Sequence, residues 1–219
     1  MGTLADIRPR PGLPRGRGSL PPTEVRRDQR ERMLRAMTSA VAELGYANVR
    51  IADLVDRARV SKQSYYAQFA DKEQCFLAAH AEGVGLILEH LARWASDHGD
   101  PDPRVQLRGA IRTYLELAGD EPEFAHCMLV ELPAAGRAGL EARLDAHRRI
   151  AALLAEWHRA ARVAHPSWPR VPAPRYAAVV GAIHELLFAA VAGESGRATA
   201  ELEGDAVDAA LALLEISGR

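Results

Sequence analysis

A chain of 219 residues that is 48% apolar but only 5% aromatic has ample core for one large domain or two modest ones. Its net charge of −1 decides nothing about partners, but the distribution is uneven: residues 1–72 hold 14 Lys and Arg against 8 Asp and Glu (+6), and residues 73–219 hold 14 against 21 (−7). A basic first third on an acidic body points to a polyanion, and two cysteines, Cys75 and Cys127, exclude a disulfide framework or a cysteine-rich metal centre and read as buried thiols of a reducing cytoplasm.

Abundant Ala, Leu, Arg and Glu with few β-branched runs predict an all-α fold. Residues 1–22 are rich in Pro, Gly and Arg, lack apolar periodicity and read as a disordered basic arm. The arm has no apolar stretch of the kind a secretory signal needs, so a cytoplasmic protein is expected. Arg15 and Arg17 are candidates for a minor groove. A first long helix is predicted from Thr23, as its cap, to Leu44, on the spacing of Val25, Met33, Leu34, Met37, Val41 and Leu44. Arg26, Arg27, Arg30 and Arg32 oppose the dipole of that helix and so call for another role, such as phosphate contact. Gly45 reads as its left-handed cap.

Ile51–Ala58 reads as a second helix, Arg59-Val60 as a tight turn, Ser61 as the cap of a third helix ending near Phe69, and Asp71 as the cap of a long fourth helix reaching about Ser96. Two short helices joined this way form a helix-turn-helix, whose second helix enters the DNA major groove. Lys62 and Gln63 suit donation to guanine and pairing with adenine. Tyr65 suits a thymine methyl or sugar, Tyr66 a phosphate, and Lys72 adds charge at a helix terminus favourable to anions. Tyrosines at this spacing also suit a half-buried core. Lys62 and Lys72 are the only lysines in the chain.

The segment LGYANVRIADLVDRARVSKQSYYAQFADKEQCF resembles the N-terminal domain of TetR-family transcriptional repressors. The resemblance rests on Tyr66, Phe69 and Asp71-Lys72-Glu73, and the upstream first helix is similar to that of actinobacterial members. It covers roughly residues 23–80. It implies a homodimeric, ligand-responsive repressor, with Gln63, Tyr65 and Tyr66 on the recognition helix and Lys72 on the family's phosphate contact. Two positions depart from the pattern. Arg50 stands where members carry a capping Ser or Thr that also touches phosphate; arginine still reaches phosphate, so Arg50 and, at the start of the recognition helix, Ser61 join the DNA-contact candidates, and Asn48 is left to supply the cap. Arg59 stands where many members carry Gly, and implies either a changed turn or an added backbone contact.

The organisation expected is therefore an arm at 1–22, a three-helix DNA-binding domain at 23–70 and a helical ligand-binding and dimerisation bundle at 71–219, about nine helices in all. Further helices are predicted at Val105–Leu117, Pro122–Leu132, Leu140–Val163, Arg175–Val191 and Thr199–Ile216, separated by prolines. Tyr176–Gly193 is apolar nearly all round but carries His184-Glu185 at its middle, which disfavours a membrane span. With Thr199–Ile216 it is expected to form a four-helix dimer interface. Trp94, Phe124, Cys127, Met128, His147, Trp157, His184 and Phe188 are candidates to line a cavity for a small apolar or amphipathic effector, with core packing the alternative for each. His126, His147, His158 and Glu131 lack metal-site spacing, so neither metal nor cofactor is expected. The function these features support is a repressor binding an inverted-repeat operator. The alternatives are an activator or architectural protein without a ligand, or a helical enzyme. Against the last, no nucleophile–base pair or phosphate loop is present.

Overall fold

The structure, a computed structural model, describes residues 21–97 and 102–216. The expected basic arm, with Arg15 and Arg17, lies outside the described residues apart from Pro21 and Pro22. The described chain is all-α, with irregular turns between helices and no strand. Helix α1 spans Pro22–Leu44, α2 Ile51–Ala58, α3 Lys62–Tyr66 and α4 Lys72–Asp97. Then come α5 (Pro103–Asp120), α6 (Pro122–His126), α7 (Gly136–Ala164), α8 (Ala173–Val191) and α9 (Glu203–Leu213).

The apolar stripe read for α1 is the face that packs: Met33, Leu34, Met37 and Val41 are buried together with Ala36 and Ala40. Pro21 precedes the helix and Thr23 lies inside its first turn, so Thr23 is not the cap. A proline at the first helical position helps instead by presetting φ and by removing one of the N–H groups that would otherwise lack a partner. Gly45 ends α1 with φ 74° and ψ 144°, a positive φ that glycine adopts without strain but an extended ψ rather than the left-handed helical one. Asp71 caps α4 as expected, accepting from the Gln74 N–H at 2.8 Å. Asp102 does so for α5, accepting from Arg104 N–H at 2.8 Å.

Several further boundaries differ from the sequence reading; α3, for one, ends at Tyr66 rather than near Phe69. The helix expected over Pro122–Leu132 is α-helical only to His126, then widens into a π-helical turn, Cys127–Glu131, and tightens into a 3-10 turn, Leu132–Ala135. Such a turn places Cys127 and Leu132 toward α1, whereas Ala125 and Leu129 face the body. The helix expected from Leu140 begins at Gly136, and the last helix is preceded by a 3-10 turn at Thr199–Leu202.

Buried side chains form two clusters. The first joins α1, α2 and α3 to the start of α4, and Cys127, Leu132 and Ala135 complete it. The second lies between α5, α7, α8 and α9 and includes Leu107, Ile111, Leu115, Val179, Leu187, Val207 and Leu214. Helix α4 runs from the first cluster into the body, packing on α1, α5 and α7. The acidic first turn of α9 is anchored to α5: Arg112 donates Nε–H to Glu203 at 2.8 Å and Arg108 donates at 3.1 Å, and the pair holds the Glu203 carboxyl below its usual range. By length and composition, Lys72–Trp94 and Ala173–Val191 are each apolar enough to cross a membrane. In this fold both are packed helices whose polar residues His80 and His184 point into the body.

Candidate nucleic-acid interface and helical cavity

Helix α3 is five residues long and too short to hold itself together, so its position is set by its neighbours. Ser61 caps it, accepting from Ser64 N–H at 3.0 Å. Tyr65 and Phe69 are the anchors, 0% and 3% exposed. Their rings lie 5.6 Å apart, and Arg30 stacks over Phe69 at 4.8 Å. Tyr65 was expected to face DNA. Its hydroxyl instead donates to the Asp71 carbonyl at 3.1 Å, so it fixes α3 to the start of α4 and cannot reach a base. The burial that holds Tyr65 raises its pKa well above the phenol range.

Lys62, Gln63 and Tyr66 are exposed on the outer face of α3, Tyr66 by 54%. No side-chain hydrogen bond or ion pair ties Lys62, Gln63 or the Tyr66 hydroxyl down among the described residues. Ser61 is also exposed, but its hydroxyl is occupied by the cap and by Ser64 Oγ at 2.9 Å.

Arg50 precedes α2 and is exposed. Arginine has no acceptor with which to cap. The cap is half made by Asp53, whose carboxylate accepts from Arg50 N–H at 2.8 Å, leaving the guanidinium outside the cap. Asn48 does not cap α2; its side-chain amide donates to Leu44 O at 2.9 Å and closes the end of α1. Lys72 is also more engaged than expected. Its ammonium donates to Tyr46 O at 2.8 Å and Ala47 O at 3.4 Å, and lies 4.4 Å from the centroid of the Tyr46 ring.

The turn between α2 and α3 keeps the left-handed conformation despite Arg59, which has φ 52° and ψ 50°. Arg32 explains how the turn is held. From α1 its guanidinium donates to Ala58 O at 2.6 Å and Arg59 O at 3.2 Å, while Asp28 accepts from Nε at 2.9 Å. Two of the arginines that oppose the α1 dipole are thus structural, Arg30 through Phe69 and Arg32 through the turn. Arg26 and Arg27 remain exposed; the Gln68 amide donates to Arg26 O at 3.3 Å, and Glu31 lies 3.9 Å from Arg27 Nε.

Two adjoining cavities lie in the body. One, about 630 Å³ with the solvent at its mouth, is lined by residues that include His80, Tyr114, Phe124, Met128, Arg143, His147 and His184. The other, about 920 Å³ and likewise including the solvent at its mouth, is lined by Leu91, Trp94, Ile111, Leu154, Trp157 and Ile183 among others. Tyr114, His147 and Ile150 line both. Two glycines make room for the aromatic walls. A Cβ on Gly83 would stand 1.8 Å from the Phe124 ring, and one on Gly109 would stand 1.9 Å from that of Trp94.

Six of the eight expected cavity residues therefore lie on a cavity wall: Trp94, Phe124, Met128, His147, Trp157 and His184. Two do not. Cys127 is fully buried in the first core cluster, its thiol directed at Thr38 O at 3.2 Å, and Phe188 packs half-buried on the second. Both cysteines are free, and burial pushes each thiol up to about 12. Sequence reasoning missed His80 and Arg143. Arg143 lies four residues before His147, so the two share a face of α7, and that spacing was a usable signal. Among the described residues no cluster of His, Cys, Asp and Glu is arranged to hold a metal ion.

Residues 34–79 match the family model described as bacterial regulatory proteins, tetR family. The HTH-type transcriptional regulator BetI of Stenotrophomonas maltophilia (strain R551-3) is 32% identical over 92 residues, 42% of this chain and 46% of that protein. The match therefore spans less than half the length of that curated relative. Among solved structures, the fatty acid degradation regulator FadR from Bacillus halodurans superposes with a TM-score of 0.76 at 14% identity, covering 92% of this chain and 100% of that one. The transcriptional regulator FadR from Bacillus subtilis, solved in complex with stearoyl-CoA, gives 0.71 at 15% identity, over 85% and 98%. At such identities the likeness is one of fold.

Proposed function

We propose that this chain, a member of the tetR family of bacterial regulatory proteins, is a cytoplasmic, ligand-responsive transcriptional repressor that binds an inverted-repeat operator as a homodimer. The observation that carries the reading is the division of labour on α3. Tyr65 is locked inward, while Lys62, Gln63 and Tyr66 stand exposed with polar tips unengaged. A surface of donors on a helix pinned by a packed core is what groove reading requires. Arg50, at the start of α2, and Arg26 and Arg27, on α1, supply positive charge for phosphate. Lys72 acts chiefly by holding the Tyr46 turn in place.

Dimerisation is supported by α8. Ala177, Ala178 and Ala192 are exposed and Gly181, Ala182 and Ala189 half-buried, so a small-residue face, interrupted by the exposed Glu185, is left uncovered in the single chain. Close helix–helix approach between two copies, with α9 alongside, would cover it. A dimer also gives the two recognition helices the spacing of half-sites about one helical turn apart.

Release by a small apolar or amphipathic molecule is supported by the cavity and by the elements that border it. Phe124 and Met128 on its wall belong to the segment that ends in the π-helical turn, and Glu131 of that turn reaches the DNA-binding part. To release DNA well, a ligand must favour the non-binding state by roughly 100-fold, about 3 kcal/mol. A gel shift of the full chain on the DNA flanking its own gene tests the reading. A sequence-specific shift is expected, and its absence against competitor DNA would contradict it.

A further inference from the structure

The cavity has a polar end and an apolar end, and the two differ sharply in chemistry. At the polar end His80 comes from α4, Arg143 and His147 from α7, and His184 from α8. His80 and His184 are 6% and 7% exposed, so both are nine-tenths buried. His147 Nε2 and His184 Nδ1 are 3.2 Å apart, a hydrogen bond within the pair. Burial keeps these imidazoles neutral: the pKa of His80 falls to about 4 and that of His184 to about 3, with Arg143 lowering His147 and His184 further. Asp145 and Arg149 act on His80 in opposite senses.

A neutral histidine pair has two N–H groups, one on each ring. One is consumed between the rings, and the other remains a donor whichever ring gives the first. Arg143 is half-buried and makes no hydrogen bond or ion pair among the described residues. The polar end therefore offers one permanent cation and neutral donors, with no acidic side chain on the cavity wall. The adjoining cavity, reached past Tyr114 and His147, is walled by Leu, Ile, Val and Trp side chains. Its one side-chain amide, Gln106, already accepts from Trp157 Nε1 at 3.1 Å.

We propose that this cavity binds a monoanionic amphipathic acid, its carboxylate held by Arg143 and the His147–His184 pair and its apolar chain lying between Trp94 and Trp157. The carboxylate gains charge-assisted hydrogen bonds from a guanidinium that otherwise has no counter-ion in apolar surroundings. A neutral alcohol of the same chain length leaves that charge uncompensated. A coenzyme A thioester lacks the free carboxylate and carries several phosphate charges, for which a single arginine is no match. The inference rests on the body being a ligand-sensing domain.

Full-length protein is titrated with dodecanoate, dodecanol, methyl dodecanoate and dodecanoyl-CoA, read by the fluorescence of Trp94 and Trp157 and by calorimetry. Dodecanoate is expected to bind at least tenfold more tightly than the other three. Arg143→Gln should remove that advantage while dodecanol binding persists, which also shows that the cavity is intact, and Arg143→Lys should restore part of it. Equal binding of dodecanoate and dodecanol by the unaltered protein overturns the proposal without any variant. So does tighter binding of the thioester, or an equal loss for acid and alcohol in Arg143→Gln. Operator affinity is measured separately. Arg143-dependent dodecanoate binding with no change in operator affinity upholds the site and contradicts the regulatory reading, whereas no preference for the acid contradicts the site whatever the DNA does.

Discussion

The Glu131 carboxylate accepts a hydrogen bond from the backbone N–H of Tyr46 at 2.7 Å, across 85 positions of sequence. Tyr46 begins the turn between α1 and α2, and Glu131 ends the π-helical turn whose preceding residues wall the cavity. The Lys72 ammonium grips the carbonyl of the same residue at 2.8 Å. One turn is therefore held from the body on one side and from α4 on the other. Any displacement of Phe124 or Met128 therefore acts on a segment bonded to the turn between α1 and α2.

Glu131→Ala is expected to lower stability by about 1–2 kcal/mol, the worth of a charged hydrogen bond reduced for partial exposure. It should also weaken the coupling between ligand and DNA by more than it weakens either binding alone. Titrations of operator with and without ligand, compared between the two proteins, give the coupling directly; an unchanged ratio would show that the signal passes elsewhere.

Gln63→Ala is expected to relax base preference at one position per half-site, by about 1–3 kcal/mol of discrimination. Arg50→Ala should weaken all sequences alike and reduce the salt slope by about 1. Lys72→Ala should behave differently from both, melting at a lower temperature because the Tyr46 turn loses its clamp. Anisotropy titrations across a salt series, on operator and scrambled DNA, separate the three behaviours.

Arg59→Gly is expected to stabilise the protein. The left-handed conformation costs a residue with a side chain about 1–2 kcal/mol, of which glycine regains a part while losing more chain entropy on folding. A net gain of roughly 0.5–1 kcal/mol is expected. The Arg32 bonds go to backbone carbonyls and survive the change. Denaturant midpoints check this, and Arg32→Ala should lower them.

The buried histidines predict a pH dependence with a definite sign. His80 and His184 have folded-state pKa values of about 4 and about 3, below the unfolded value of 6.5. Above pH 6.5 both states are neutral and stability is unaffected by them. Below it the unfolded chain takes up protons that the folded chain refuses, so stability falls, by up to about 1.4 kcal/mol per pH unit for each group, until the folded pKa is reached. Urea midpoints between pH 7 and pH 5 should show a slope that is reduced in His80→Gln and in His184→Gln.

The fold was largely legible because helical spacing survives in a single sequence. Met33, Met37 and Val41 bury as their periodicity requires, and Ser61 and Asp71 cap where they stand. The departures come from contacts that join distant parts. Tyr65 was misread as a DNA contact because the Asp71 carbonyl that takes its hydroxyl and the core that buries its ring are set by tertiary packing. The π-helical turn has no local signature, and it sends Cys127 into the α1 core rather than the cavity. Periodicity marks apolar faces without telling cavity wall from filled core: Trp157 lines a cavity, whereas Phe188 packs on the second core cluster. The four-residue spacing puts Arg143 on the His147 face of α7, but only the packing of α4 and α8 on α7 sets His80 and His184 on the same cavity wall.

The most direct test of the account is selection of binding sites from random DNA by the full-length protein, with Gln63→Ala selected in parallel. An inverted repeat whose half-sites lie about one helical turn apart is expected, with one position per half-site losing its preference in the variant. Failure to enrich any sequence, or enrichment of a site unchanged in Gln63→Ala, would contradict it.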